Sequence, residues 1–290
     1  MRRFVLAILL SSCVATAATA QLVPPQNSLP TPTPKVDTIP APRDVAYPGT
    51  IQLTVDASDV ERAIFRIHQH VPVPGPGDFV LLYPKWVPGG HSPRGDIKNV
   101  AGLRVTADGH ELKWVRDTLD VYAFHIAVPA GVSAIDVDFQ YLTPTAGNQG
   151  RIVATPDMAS IQWLSNSLYP AGYFVRGIPV QASVIVPSGW QVATALRPSG
   201  QTGNRIDYPV TSYEILVDSP LIAGAHYRKF PLSPDVTLDV IADTEQELDA
   251  KPEQIAAHKR LVEQAVKAFG AQHYDHYDFL LTISDNLGGN

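Results

Sequence analysis

The sequence has a single cysteine, Cys13, no apolar run long enough to cross a bilayer and no excess of basic residues. Each shortage excludes something. One thiol cannot form an intramolecular disulfide, so stability must come from burial. The apolar stretch Phe4 to Leu10 falls well short of the roughly 20 residues that a spanning helix needs. Lys and Arg number 22 against 28 Asp and Glu, a formal charge of −6. That balance argues against nucleic acid or an anionic membrane as partner, because both need a basic face. Catalytic motifs are missing too. The one His-Glu pair, His110-Glu111, has Trp114 where H-E-x-x-H needs its second histidine, and it follows an Asp-Gly turn in strand-like sequence. Gly90-His91-Ser92-Pro93-Arg94-Gly95 has the wrong spacing for a Gly-x-Ser-x-Gly elbow, and Pro93 removes an N–H where an oxyanion hole needs one. Walker and dinucleotide glycine patterns are absent, and Gly288-Gly289 is a bare pair after a strand.

What is present begins with a leader. Arg2 and Arg3 form a positive n-region, Phe4 to Leu10 an apolar h-region, and Ala18-Thr19-Ala20 a cleavage site before Gln21. Leu10-Ser11-Ser12-Cys13 also fits an acylation box, although the leader before it is unusually short. Removal of residues 1–20 takes the basic count from 22 to 20 against 28 acids, a net charge of about −8 that reads mainly as solubility. Export to the periplasm or the exterior is the expectation. Residues 21–43, rich in proline, threonine and serine, favour extended polyproline geometry and read as a linker.

From Thr50 to about Val240 the apolar period is two. Ala63, Phe65, Ile67 and Val71 alternate with Arg66, His68 and His70, and Ile135, Val137, Phe139 and Tyr141 with Asp136, Asp138 and Gln140. Such alternation puts one face on a core and the other in water. Asp108-Gly109 before a Glu111–Arg116 strand, and Pro187-Ser188-Gly189, read as turns, and 26 prolines and 20 glycines suit many short strands. The pattern changes near Pro234. Val236 to Ile241 reads as a strand. Pro252 opens a helix through Ile255, Val262, Ala265, Val266 and Phe269 that stops at Gly270, and Phe279 to Ile283 reads as a buried strand. Residues 235–290 are too few to close a core of their own, so Asn290 is expected to be a truncation point.

Several side chains invite a chemical reading beside a plainer one. His68 and His70 share a strand face and could chelate, but spacing supplies no third ligand. His273 and His276 fall where a polar turn is expected. Asp136 and Asp138 suit a glycosidase acid pair or, more simply, a solvated face. Trp86, Trp114, Trp163 and Trp190 could line a sugar-binding surface, yet aromatics at 8% are no more than a β core uses.

Tyr83-Pro84-Lys85-Trp86-Val87-Pro88-Gly89-Gly90-His91-Ser92, Leu168-Tyr169-Pro170, Val236 to Leu248, and Tyr277 to Leu281 followed by Ser284 to Asn290 together resemble the N-terminal half of the glycyl aminopeptidase family, family sixty-one of the metallopeptidases. The likeness covers about 45 to 290, in order. It implies a mainly β fold, a large antiparallel sandwich or saddle-like domain over 44–234, then the beginning of an α/β thermolysin-like domain over 235–290. It also implies removal of N-terminal glycine or alanine from a peptide substrate, with zinc bound by the full-length protein and no cofactor in this chain. No catalytic residue or metal ligand of the family falls on a position here, so the chain alone is expected to be inactive. Gly288 and Gly289 match the start of the family's substrate-edge loop, where the missing Cβ would let a peptide backbone approach. Gln162, upstream of Tyr169-Pro170, stands roughly where distantly similar aminopeptidases offer an amide to the substrate's amine, although the spacing differs. The alternative is an exported β-sandwich module binding carbohydrate or protein.

Overall fold

The computed structural model describes residues 36–86 and 92–288. The leader, Cys13, most of the proline-rich linker and Val87 to His91 lie outside them. Thr38–Asn290 form one compact unit.

Alternation sets the main sheet. In the strands Ile51–Asp59, Ile64–Pro72 and Ala134–Leu142, every second side chain is buried. Register aligns them into inner rows, Val55 beside Ile67 beside Phe139 and Leu53 beside Gln69 beside Val137. The outer row sets Thr54 beside His68 beside Asp138. These strands centre a nine-stranded sheet that is antiparallel except where 51–59 meets Pro179–Ile185. Ala63 lies in the turn before its strand, buried, with φ of 55°. A four-stranded sheet built on Gly77–Leu82 and Ala123–Val128 contributes Phe79, Leu81, Phe124 and Ile126 to the same core, which makes the sandwich.

The stretch expected as one strand over Glu111–Arg116 is two. His110–Glu111 pairs in the large sheet, and Trp114–Arg116 pairs in the four-stranded one. Buried Leu112 marks the crossing, its N–H donating to the Val105 carbonyl at 2.8 Å. A chain that leaves one sheet for the other breaks or bends its pairing at the crossing.

A third sheet (Met158–Ile161, Gln191–Thr194, Leu221–Gly224) is buried on both faces. Ala159, Ile161, Leu221 and Ala223 face the sandwich core, while Met158, Ala193 and Ile222 face a fourth sheet. That sheet runs His226–Pro231, Val236–Ala242, Tyr277–Ile283, the last two parallel. Gly224 stands where the two meet: a Cβ there would lie 2.4 Å from Ile241 Cγ2. The other face of the fourth sheet, Val236, Leu238 and Val240, packs on Val262 of the helix Pro252–Phe269. Pro252 and left-handed Gly270 bound that helix as the sequence indicates. Its burial is thinner than the periodicity implies, since Leu261, Val266 and Phe269 remain exposed.

One polar residue breaks the inner row. Gln69 is 1% exposed, and its carboxamide donates to the Leu168 carbonyl at 2.9 Å and accepts from the Leu168 N–H at 2.7 Å. A side chain thus does the work of a neighbouring strand for a segment that has none. Gln69→Leu strands two buried backbone groups and is expected to cost about 2–5 kcal/mol in urea unfolding.

A second polar clasp ties the four-stranded sheet to the segment entering it. Asp117 accepts from the N–H groups of Leu119 and Asp120, at 2.7 and 2.8 Å, and from the Thr38 hydroxyl at 2.8 Å. The backbone donors hold its carboxyl far below the usual carboxylate range. His125 lies between Asp117 (3.0 Å) and Asp78 (2.8 Å). Burial is the largest single influence on this imidazole and pulls its pKa down, but the two carboxylates outweigh it and leave the pKa raised. A raised folded pKa means the clasp stabilises fully below about pH 6.5 and fades as pH rises through the folded value. Unfolding at pH 5.5 and 8.5 is expected to show a stability loss in the wild type that His125→Asn removes.

Candidate functional site

The third and fourth sheets leave a cleft of about 680 Å³ between them, and Gln162 and Gly288 both line it. Residues far apart in sequence are brought together here by the stacking of the two sheets.

Gln162 follows the strand 158–161 in extended conformation and opens the short turn Trp163–Ser165. Side chains fix the backbone of this turn. The Gln162 carbonyl accepts from Asn166 Nδ2 at 2.8 Å, and the fully buried Trp163 indole N–H donates to the Ser219 carbonyl at 2.9 Å. Ser167 Oγ donates to the Trp163 carbonyl at 2.7 Å. Among the described residues, by contrast, nothing hydrogen-bonds the Gln162 carboxamide, which is left to meet the cleft.

Gly288 ends a tightly bonded loop. Ser284 Oγ accepts from the N–H groups of Asn286 and Leu287, at 3.0 and 2.8 Å, and Asp243 Oδ2 accepts from Asp285 N–H at 3.0 Å. Gly288 N–H then donates to the Ile152 carbonyl at 2.8 Å. A Cβ on Gly288 would stand 2.6 Å from Arg151 Cγ and 3.1 Å from Ile152 N. The backbone that approaches Gly288 on that side is the chain's own. Gly289 lies outside the described residues.

The cleft also gathers residues that spacing did not mark for chemistry. Asp218 lines it just past the turn that ends Tyr213–Val217. His276 Nε2 donates to the Ala195 carbonyl at 2.7 Å and stands 3.6 Å from Asp278 Oδ2. Burial first, and then the charge of Asp239, raise the Asp278 pKa. A charged residue inside the apolar run Tyr277 to Leu281 was the available signal for it. His273 is exposed and does not line the cleft.

The remaining candidates stand elsewhere, mostly with structural partners. His68 Nδ1 pairs with Asp138 and His70 Nδ1 with Asp136, each at 2.8 Å, across the solvent face of the large sheet. His110 and Glu111 form an exposed two-residue edge. Ser92 Oγ accepts from Arg94 Nε at 3.0 Å. Trp163 is core, Trp114 packs edge-on against Phe124, Trp190 is half-buried and Trp86 is exposed. Among the described residues, no three His, Cys, Asp or Glu side chains gather to hold a metal ion.

Residues 52–225 match the Peptidase M61 N-terminal domain. The chain belongs to this family. Among solved structures, this M61 chain is similar to an aminopeptidase N family protein from Idiomarina loihiensis, at 18% identity and a TM-score of 0.66, over 80% of this chain and 39% of that one. It also matches an M1 zinc metallopeptidase from Deinococcus radiodurans, a mutant bound to a Tyr-Ser-Ala substrate, at 14% identity and a TM-score of 0.47, over 82% of this chain and 56% of that one. At such identities the first likeness is one of fold. The M61 chain spans less than two thirds of either protein. No curated protein matches it. It is a metallopeptidase-related N-terminal portion, mainly β as its alternation indicates.

Gly288→Ala places a methyl group against Arg151 and the Ile152 backbone. Faster amide exchange is expected at Gly288 and its neighbours Asp285 to Leu287, with exchange in the strand 64–72 unchanged.

Proposed function

We propose that this chain is the N-terminal portion of an exported zinc aminopeptidase, acting on peptides with N-terminal glycine or alanine and inactive alone. The β domain, 44–234, covers one side of the substrate cleft, and 235–290 opens the metallopeptidase domain. The observation that carries the reading is the shared cleft of Gln162 and Gly288. A carboxamide oxygen with no competing partner can accept from a peptide's terminal ammonium, a charge-assisted bond. The loop ending at Gly288 then lies along the same peptide. The family match ending at residue 225 supports a boundary near 234, and the exposed Leu261, Phe269 and Tyr277 offer apolar surface for further polypeptide. The leader-like residues 1–20 support export to the periplasm or the exterior. Among the described residues, no helix is long and apolar enough to cross a membrane.

Zinc needs three or four nitrogen, oxygen or sulfur ligands. The described residues gather no such set, so they do not fit the ion, and the ligands are assigned to sequence outside them. What this chain contributes is binding: it orients the amine and shields one side of the peptide from water.

Reading the locus past codon 290 and expressing both forms tests the proposal. The longer frame is expected to encode H-E-x-x-H, to carry one zinc by elemental analysis and to release glycine and alanine from chromogenic amides, while the chain alone does neither. Gln162→Ala in the longer form is expected to lower kcat/KM about 10- to 100-fold, mainly through KM. Zinc-dependent hydrolysis by residues 21–290 alone, or a stop codon with no such frame beyond it, would overturn the proposal.

A further inference from the structure

The cleft at Gln162 has a neighbour. A second cleft of about 620 Å³ shares one wall with it, formed by Arg151, Val153, Gln162, Asp218 and Pro220. The second cleft is also lined by Arg94 and Lys98. Their segment is fixed in place: the N–H groups of Arg94 and Gly95 donate to the Lys85 carbonyl at 2.6 and 3.0 Å, and Ile97–Asn99 closes a short turn.

Among the described residues, both cations have neutral partners only. Arg94 Nε donates to Ser92 Oγ at 3.0 Å, and Lys98 Nζ reaches the Gln149 carbonyl at 3.5 Å. Among the described residues, no carboxylate forms an ion pair with either. Two carboxylates line the same cleft, Asp96 and Asp218. Asp96 acts on the buried phenols of Tyr83 and Tyr141, adding to the rise in pKa that burial causes first. Asp218 belongs to the shared wall with Gln162. Arg151 and Asp218 balance each other in the shared wall, beyond which the first cleft adds the carboxylate of Asp278 and the second adds two cations, Arg94 and Lys98, against the single carboxylate of Asp96. That order suits a ligand with an ammonium group close to a short arm ending in carboxylate.

We infer that the second cleft is an anion subsite, receiving the side-chain carboxylate of an N-terminal aspartate or glutamate when Gln162 receives the amine. The inference rests on the aminopeptidase reading and widens the substrate class beyond glycine and alanine. A small N-terminal residue leaves the cleft to water. An acidic one exchanges that water for charge-assisted bonds from Arg94 and Lys98. A basic one meets like charge.

The test is calorimetric titration of the full chain, at low salt, with Glu-Ala-Ala, Ala-Ala-Ala and Lys-Ala-Ala, and with glutarate as a dicarboxylate that has no amine. Because Arg94 and Lys98 are exposed, Glu-Ala-Ala is expected to bind about three- to tenfold tighter than Ala-Ala-Ala, and Lys-Ala-Ala more weakly than either. The preference is expected to vanish at high salt. It is also expected to vanish in the Arg94→Glu/Lys98→Glu double variant, with Ala-Ala-Ala affinity and the thermal midpoint unchanged. Arg94→Gln/Lys98→Gln, which removes charge without inverting it, is expected to fall between. Equal affinity for the three peptides would overturn the subsite and leave the aminopeptidase reading intact. Glutarate binding that depends on Arg94 and Lys98, with no peptide bound, would support the anion subsite and overturn the aminopeptidase reading. Binding of neither glutarate nor any peptide would overturn the subsite.

Discussion

The wall of the cleft depends on one buried amide. Gln69 sits in an inner row between Leu53 and Val137, where every other side chain is apolar, and gives both its donor and its acceptor to Leu168. Burying a carboxamide without partners is costly, so the position is tolerable only because both bonds are made. They fix the segment that runs back through Ser167 and Trp163 to Gln162. The same segment leads forward to the pair Tyr169–Pro170 on the four-stranded sheet. A single side chain therefore sets where the cleft's carboxamide stands relative to the sandwich core.

The second constraint is close approach between sheets. Gly224 lets the fourth sheet lie against the third, and Gly288 lets the last loop lie against Arg151 and Ile152. Between these contacts the cleft is lined by Leu287 and Gly288 of the last loop, by Ala195 just past the strand Gln191–Thr194 and by Asp218 just past the turn Tyr213–Val217. A polar group at its edge is satisfied internally where it can be, as with His276 donating to the Ala195 carbonyl at 2.7 Å. The Gln162 carboxamide and the cations Arg94 and Lys98 lack charged partners among the described residues, which is why they carry the functional reading.

Much of the fold was legible beforehand. Inward rows through Phe65, Ile67, Val137 and Phe139 follow from a period of two, and Pro252 and Gly270 bound the helix because their backbone preferences act locally. The break at Leu112 was not legible, since Glu111–Arg116 has a strand's composition throughout and only the presence of two sheets divides it. Nor was the role of His68, His70, Asp136 and Asp138, whose cross-strand pairing depends on register between distant strands. His125 gave no signal either, because its partners Asp78 and Asp117 lie on other strands or turns.

The site divides the same way. From residue order alone, Gly288 and Gln162 could be marked as candidates, because a motif and a missing Cβ are local properties. That they line one cleft, that Gly288 is closed on one side by Ile152, and that Asp218, Arg94 and Lys98 stand nearby were decided by the stacking of the sheets. The sequence by itself determined the β periodicity, the helix ends and the family, since these rest on neighbours along the chain. Tertiary structure alone decided which side chains keep their polar groups free, because a hydrogen-bond partner is a matter of position in space and not of spacing in sequence.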